Sequence, residues 1–324
     1  MVGPNTESVT LNNMYNSTHP KWKKELVDAL HDEYTCYGWI TRNKGRGEGR
    51  RGEFSVKYQG YNNVSSNGFD SATTVTPENP NISIGGNYNW GTYELFPQIT
   101  YDAMRANEGS KRKYNYVKEQ LDEAEMSIQK SINESLWVGT QNTNKFTSIA
   151  VVVSTTTGSG TVHNISRSTY QIWRQVAQDC SAVPFTSGGI NNMRTLYNNV
   201  SRGQKKNKPD TIFSNATCWG LYERLTDAKD FLQMTRDGAK GTKLSEAFQF
   251  RTCLWMWDDD YPESTTLRML NSEFWDYEEF STTMPGKPIP AGNGRFETME
   301  MSIVGQLYCT ALKFQGILHN FTAA

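Results

Sequence analysis

The densest group of side chains able to do chemistry is the acidic run Asp258-Asp259-Asp260, with Glu263 close behind it. Four carboxylates so near in sequence suggest a divalent cation and, with it, metal-assisted hydrolysis. Strand geometry argues for a plainer reading. Successive side chains on a strand point to opposite faces, so adjacent carboxylates rarely converge on one ion. The run then reads as a polar strand end and turn before Pro262, with a calcium or magnesium role as the alternative. The histidines His19, His31, His163 and His319 are far apart and have no paired ligand spacing. Gly158-Ser159-Gly160 lacks the Lys-Ser/Thr of a phosphate loop, and no nucleophile elbow occurs. Trp255 and Trp257 flank Met256 as alternating faces of a core strand; a sugar-stacking platform is the sharper alternative. The expectation is a protein that is not an enzyme, with no cofactor or metal assigned.

Composition points the same way. The chain has 324 residues, long enough to bury a real core, yet only 36% are hydrophobic, while 9 Trp and 16 Tyr exclude a disordered chain. Such a polar, Gly-rich and aromatic-rich balance suits strands, loops and large polar contact surfaces. A formal charge of -1 gives no global basic field to draw it onto nucleic acid. Cys36, Cys180, Cys218, Cys253 and Cys309 are odd in number and lack CxxC spacing, which reads as reduced thiols in an intracellular protein. Met1 to Thr10 carry no secretion-signal pattern, and no apolar run approaches a membrane span.

The elements that would position these residues begin with a polar arm. It includes a short helix over Pro20 to Tyr34, with Trp22, Leu26, Ala29 and Leu30 on one face. A flexible basic strip, Lys44 to Gly52, follows. Arg46, Arg50 and Arg51 there suit phosphate contact, or more plainly a solvated loop against water or a neighbour. Phe54, Val56 and Tyr58 alternate, and so do Tyr93, Leu95, Pro97, Ile99 and Tyr101 on the return. Between them lie turn signals at Asn67-Gly68, Pro77, Pro80 and Gly85-Gly86. A two-stranded excursion of this length is marginal alone, so it should lie on a partner.

Glu108 to Val138 is the clearest helix, with Val117, Leu121, Ala124, Ile128 and Ile132 forming one apolar stripe, Asn107 placed to cap it and Gly139 following. At ~1.5 Å per residue it would run about 45 Å. Lys111-Arg112-Lys113 in its first turn is solvated or faces nucleic acid. Beyond Ser154 to Thr161 the chain reads as an α/β module. Helices are expected over Ile190 to Val200 and Ala216 to Leu225, with strands at Thr211 to Ser214, Phe248 to Trp257 and Arg268 to Asp276. After a Pro/Gly linker from Pro285 to Gly294, Phe296 to Phe321 reads as one long strand returning to the spine helix.

This order of elements resembles the major capsid proteins of tailed double-stranded DNA phages, from Gly52 onward. Glu119 to Glu125 followed by Leu136-Trp137-Val138-Gly139 is similar to that family's spine helix and its exit. Gly160-Thr161-Val162, Ile165-Ser166-Arg167 and Ile172-Trp173-Arg174-Gln175 resemble one subgroup's signature, departing at Ser166 and at Ile172-Trp173. Lys208 to Phe213 with Cys218 to Tyr222, and Phe248 to Asp260 with Leu270-Asn271, resemble segments of the A-domain, with a departure at Phe250 and Arg251.

The resemblance implies an α+β capsid fold divided into an N-terminal arm (1–45), an E-loop hairpin (46–107), a P-domain with spine helix (108–185), an A-domain (186–295) and a P-domain return strand (296–324). It implies hexamers and pentamers closing an icosahedral shell around double-stranded DNA, made in a bacterial cytoplasm and ending as virion capsid. Partners would be other copies, DNA held without sequence preference, and portal, scaffolding or decoration proteins, with no membrane. Phe54, Val56, Tyr58, Tyr93, Leu95 and Ile99 would then meet neighbouring subunits. An encapsulin-type shell enclosing cargo, and a metal-dependent hydrolase, are the alternatives.

Overall fold

The structure, a computed structural model, describes residues 35–60, 79–102, 116–201, 203, 207–234, 248–284, 288–290 and 296–322. The expected helix over Pro20 to Tyr34, the turns at Asn67-Gly68 and Pro77, and Lys111-Arg112-Lys113 lie outside these residues.

In chain order a short helix α1 (Thr35–Ile40) leads to strands β1 (Lys44–Arg46), β2 (Gly52–Lys57), β3 (Ser83–Tyr88), β4 (Gly91–Leu95) and β5 (Gln98–Thr100). The spine helix α2 (Tyr116–Trp137) and the one-turn helix α3 (Ile149–Val152) precede β6 (Thr161–Val162), β7 (Ile165–Ser166) and β8 (Val176–Asp179). Helix α4 (Ile190–Val200), β9 (Thr211–Ser214) and α5 (Ala216–Met234) follow, then β10 (Phe248–Phe250), β11 (Cys253–Trp257), β12 (Leu267–Leu270) and β13 (Trp275–Thr283). The last strands are β14 (Pro288–Pro290), β15 (Phe296–Met299), β16 (Met301–Cys309) and β17 (Gly316–His319). The mixture is α+β, as expected.

Two cores share one sheet. The six-stranded sheet runs β10-β11-β9-β12-β17-β8, and every residue of β9 and β12 is buried. Alternation divides those residues between two hydrophobic clusters. Phe213, Leu270 and Ile317 join the cluster around the spine helix, while Ile212, Met269 and Leu318 join the one under α4 and α5. A strand buried on both faces reads as a continuous apolar run, which is why Thr211-Ile212-Phe213-Ser214 is legible as one. Trp39 and Trp137 each bring a ring to within 5.4 Å of the Phe213 ring, sealing the first core from the spine side.

Helix α2 buries Ala124, Ile128, Ile132 and Leu136 and leaves the intervening Asp122, Glu125 and Lys130 exposed, the stripe that the three-and-four spacing implies. It stops where Ser148 Oγ donates to the carbonyls of Leu136 (2.9 Å) and Val138 (2.6 Å), satisfying acceptors that the helix end leaves open.

Several expectations change in detail. The partner of β2 is β3, with Gly52 opposite Tyr88 and Lys57 opposite Ser83, and not the segment of Tyr93 to Tyr101. That segment instead supplies β4, which pairs with β16, and β5, which pairs with β15. Phe248 to Trp257 is not one strand but a tight antiparallel hairpin, turned at Arg251 with φ of 55°. Arg268 to Asp276 is broken by a 3-10 turn at Ser272–Phe274. Phe296 to Phe321 is three strands rather than one: β15 and β16 lie in separate sheets, and β17 crosses to the six-stranded sheet between β12 and β8. Lys44 to Arg46 is not flexible either; it pairs in parallel with Tyr277 to Glu279 at the edge of the sheet β1-β13-β16-β4.

Gly91 sets how closely the start of β4 approaches the loop after the spine helix. A Cβ there would lie 2.6 Å from the carbonyl carbon of Lys145 and 2.8 Å from the amide nitrogen of Phe146, both backbone atoms with little freedom to yield. Gly85, on the excursion, would meet nothing within 4 Å. Gly91→Ala should therefore cost about 1–3 kcal/mol as overpacking, and Gly85→Ala should be neutral or slightly stabilising. Urea midpoints of the two variants check this; equal midpoints would sink the packing argument.

Candidate assembly surfaces

The excursion β2–β3 is rooted in its own chain before it reaches any neighbour. Phe54 and Tyr88 from its two strands stack with Tyr308 of β16 at ring separations of 5.4 and 4.5 Å. Stacked aromatic pairs add about 0.5–1.5 kcal/mol each beyond the area they bury. Below them the Glu278 carboxylate accepts from Tyr88 Oη (2.7 Å) on one oxygen and from Tyr308 Oη (2.9 Å) on the other. Burial first, and the Glu278 contact second, hold both tyrosine hydroxyls above their ordinary pKa, so they donate at every physiological pH. Gly52 and Gly86 make this closeness possible: a Cβ at either would run into the Tyr88 or the Phe54 ring.

Next to the stack the loop after β1 folds over Trp90. Trp90 Nε1 donates to the Gly49 carbonyl at 3.0 Å, Gly49 takes a φ of 80°, and a side chain on Gly47 would strike the indole. Trp90 also leans on Phe280 at 5.5 Å, which sits at a bulge in β13 between Glu279 and Ser281 and is 48% exposed. Phe96, at 52% exposed, is a second large apolar side chain open to solvent.

The site residues named from the sequence separate here. Phe54, Val56 and Tyr58 lie on one side of the excursion and are half-buried, Phe54 and Val56 against the chain's own core and Tyr58 against the Tyr170 ring at 5.0 Å. Tyr93 and Ile99 are buried within the chain, at 6% and 2% exposure, and Leu95 packs on the same core. Tyr93 and Ile99 are thus covered within the single chain, whereas Leu95 stays partly exposed. Leu121, Ala124, Ile128 and Ile132 face the spine core; Val117 lies in the helix backbone. Arg46 and Arg50 are exposed, Arg51 Nε donates to Asn89 Oδ1 at 3.1 Å, and Lys44 pairs with Glu279 at 2.6 Å.

The acidic run turns out to be a structural joint. Asp258 is buried and accepts from the Cys36 amide (3.1 Å), from Asn133 Nδ2 (3.1 Å) and from the Asp260 amide (2.9 Å). Asn133 Nδ2 also donates to Asp260 Oδ2 at 2.6 Å, while its Oδ1 accepts from the Tyr37 amide at 2.9 Å. One spine-helix side chain thus ties α1 to the end of β11. Desolvation raises the Asp258 pKa, against those three donors. Among the described residues no three His, Cys, Asp or Glu side chains converge as a metal site requires.

Sequence reasoning missed two buried guanidiniums. Arg167 donates to the carbonyls of Val151 (3.2 Å) and Val152, and Arg268 donates to that of Val153 at 3.0 Å. Both cations satisfy carbonyls left open at the C-terminal end of α3. Arg268 also pairs with Glu263 at 3.3 Å and lies 5.0 Å from the Tyr261 ring centre. Burial alone lowers the Arg167 pKa only to about 10, so it stays charged. All five cysteines are buried free thiols. Burial pushes Cys180 up to about 11 and Cys218, Cys253 and Cys309 up to about 12.

If the aromatic root holds the excursion, Tyr308→Ala should loosen it selectively. Amide exchange in 52–57 and 83–88 should accelerate at least tenfold while β9 and β12 keep their protection. Uniform acceleration would mean that the root is ordinary core.

His163 gives a pH signature. Its imidazole is buried against the same stack, and desolvation lowers its pKa from 6.5 to about 3. Because the folded pKa is depressed, the unfolded chain takes the proton first. Its contribution to stability is complete above about pH 6.5 and is lost by roughly 1.4 kcal/mol per pH unit on the way down to about pH 3. His163→Asn keeps an acceptor and tolerates the positive φ of 50°. It should remove one proton from the slope of stability against pH between 6 and 4; an unchanged slope would show that His163 does not contribute. Asp258 acts in the opposite sense just above its ordinary range, equally in both proteins, and cancels in the comparison.

No family model matches the chain, and no curated protein does. Solved structures do. The capsid of cyanophage A-1(L) is similar over 94% of this chain and 97% of its own, with a TM-score of 0.67 at 14% identity. The capsid of a native GTA particle covers 94% and 95%, with a TM-score of 0.65 at 10% identity. The SrpI encapsulin of Synechococcus elongatus PCC 7942 covers 100% and 98%, with a TM-score of 0.58 at 9% identity. With its rooted excursion, spine helix and twin-faced sheet, the chain has the fold of the tailed-phage major capsid proteins, which an encapsulin shares.

Proposed function

We propose that the chain is a major capsid protein, whose copies assemble as hexamers and pentamers into an icosahedral shell around double-stranded DNA. The observation that carries this reading is the length of the match: capsid chains are similar over 92–94% of this chain and 95–97% of their own. The physics is consistent. A two-stranded ribbon with open edges suits lying on a neighbour. Heterologous contacts of that kind close into rings and then into shells. Strength then comes from many modest contacts made together, so no single residue need be indispensable.

In this reading the role is structural and not enzymatic, in keeping with Asp258 and Asp260 being engaged with Asn133. Arg46 and Arg50, exposed on the edge loop, suit contacts to phosphate or to a neighbour; Lys111, Arg112 and Lys113 remain candidates of the same kind. Portal, scaffolding and decoration proteins are expected partners. Assembly would take place in a bacterial cytoplasm, with the virion capsid as destination. The encapsulin likeness supports a second reading, a shell that encloses protein cargo. Neighbouring genes separate the two: terminase and portal genes for a phage, a cargo enzyme with a docking tail for an encapsulin.

The full chain expressed alone should form closed shells, or hexameric and pentameric rings, in negative-stain microscopy, with light scattering far above that of a 36.8 kDa monomer. A stable monomer at high concentration, with or without scaffolding protein, would overturn the proposal.

A further inference from the structure

Beside the root of the excursion lies a cavity of about 420 Å³, within the size range of small-ligand sites. Val151, Val152 and Val162 form its aliphatic lining, and polar side chains make up most of the rest. Among the described residues no Asp or Glu lines it, although the chain holds 34 of them. Its one permanent cation is Arg51. Only Nε of that guanidinium is engaged, with Asn89, and the terminal nitrogens have no acceptor among the described residues. His163 adds a second donor. Its Nε2 accepts from the Cys309 amide at 3.3 Å, which places the imidazole proton on Nδ1, and Nδ1 has no acceptor among the described residues. The side-chain amides of Asn87 and Asn164, also on the wall, are likewise without partners there. Across the 141–148 loop a second cavity of about 490 Å³ again contains a cation, Lys145, and no carboxylate.

A pocket lined with unused donors and one cation, and lacking any acid, is complementary to an anion. Charge-assisted bonds to a planar carboxylate are the strongest available to a guanidinium, and desolvating a donor without a partner is costly. We propose that this cavity binds a carboxylate or a similarly sized oxyanion through Arg51 and His163. The carboxylate comes either from solution or from an acidic side chain of a second copy; only the second source rests on the shell reading.

Calorimetric titration of the full chain with succinate, against sodium chloride at matched ionic strength, tests the first source. Millimolar binding is expected, weakened at least tenfold in Arg51→Gln and unchanged in Arg46→Gln, whose side chain lies outside the cavity. Both arginines are exposed, so neither variant threatens folding. If succinate does not bind but a map of assembled particles shows a neighbour's Asp or Glu against Arg51 and His163, the second source is established. An assembled cavity holding neither overturns the proposal, as does the absence of succinate binding in a chain that stays unassembled. A chain that binds succinate yet never assembles sinks only the shell reading.

Discussion

The stack of Phe54 and Tyr88 on Tyr308, closed underneath by the Glu278 carboxylate, is the contact on which the use of the rest depends. It joins a ribbon with open edges to the longest ladder among the described residues, β13 against β16. Without it the ribbon would keep the Asn87 amide bond to the His163 carbonyl and the Tyr58–Tyr170 contact but lose its aromatic root. With it, the direction is set by three ring planes and two hydrogen bonds that share one anion. The bonds to Glu278 are charge-assisted, so each is roughly twice as strong as a neutral pair. The glycines opposite the rings complete the device, because any side chain at Gly52 or Gly86 would push the stack apart.

Behind the root, the body is made stiff by sharing. The six-stranded sheet faces two hydrophobic clusters at once, so deforming either disturbs the other. The arginines on α3 and the Asn133–Asp258 joint play a matching polar role. The Asn133–Asp258 and Arg268–Val153 bonds connect segments over a hundred residues apart, where apolar contact alone would allow sliding. Buried polar groups of this kind fix register more than they add stability.

Much of this was legible in the sequence, and the exceptions share a cause. The spine helix announces itself through Leu121, Ala124, Ile128 and Ile132, a period that belongs to the chain alone. Strands such as Thr211 to Ser214 are equally plain, being apolar on both faces. Pairing is a different matter. Tyr93, Leu95 and Ile99 alternate just as a hairpin partner of Phe54 and Val56 should, yet they pair with β16 and β15, more than 190 residues away. Alternation specifies a strand and a face but not a neighbour. The roles of Arg167 and Arg268 were hidden for a related reason: their acceptors are backbone carbonyls, which leave no mark in side-chain spacing. Asp258 follows the end of β11, where a turn is expected, but its partners Cys36 and Asn133 lie too far off in sequence to be named.

The depth of the five thiols carries a consequence for the life of the protein. Thiol–disulfide exchange and oxidation begin from an accessible thiolate, and each of these sulfurs is both covered and held well above its ordinary pKa. Moving from reducing to oxidising surroundings should therefore form no disulfide through these five sulfurs while the chain stays folded.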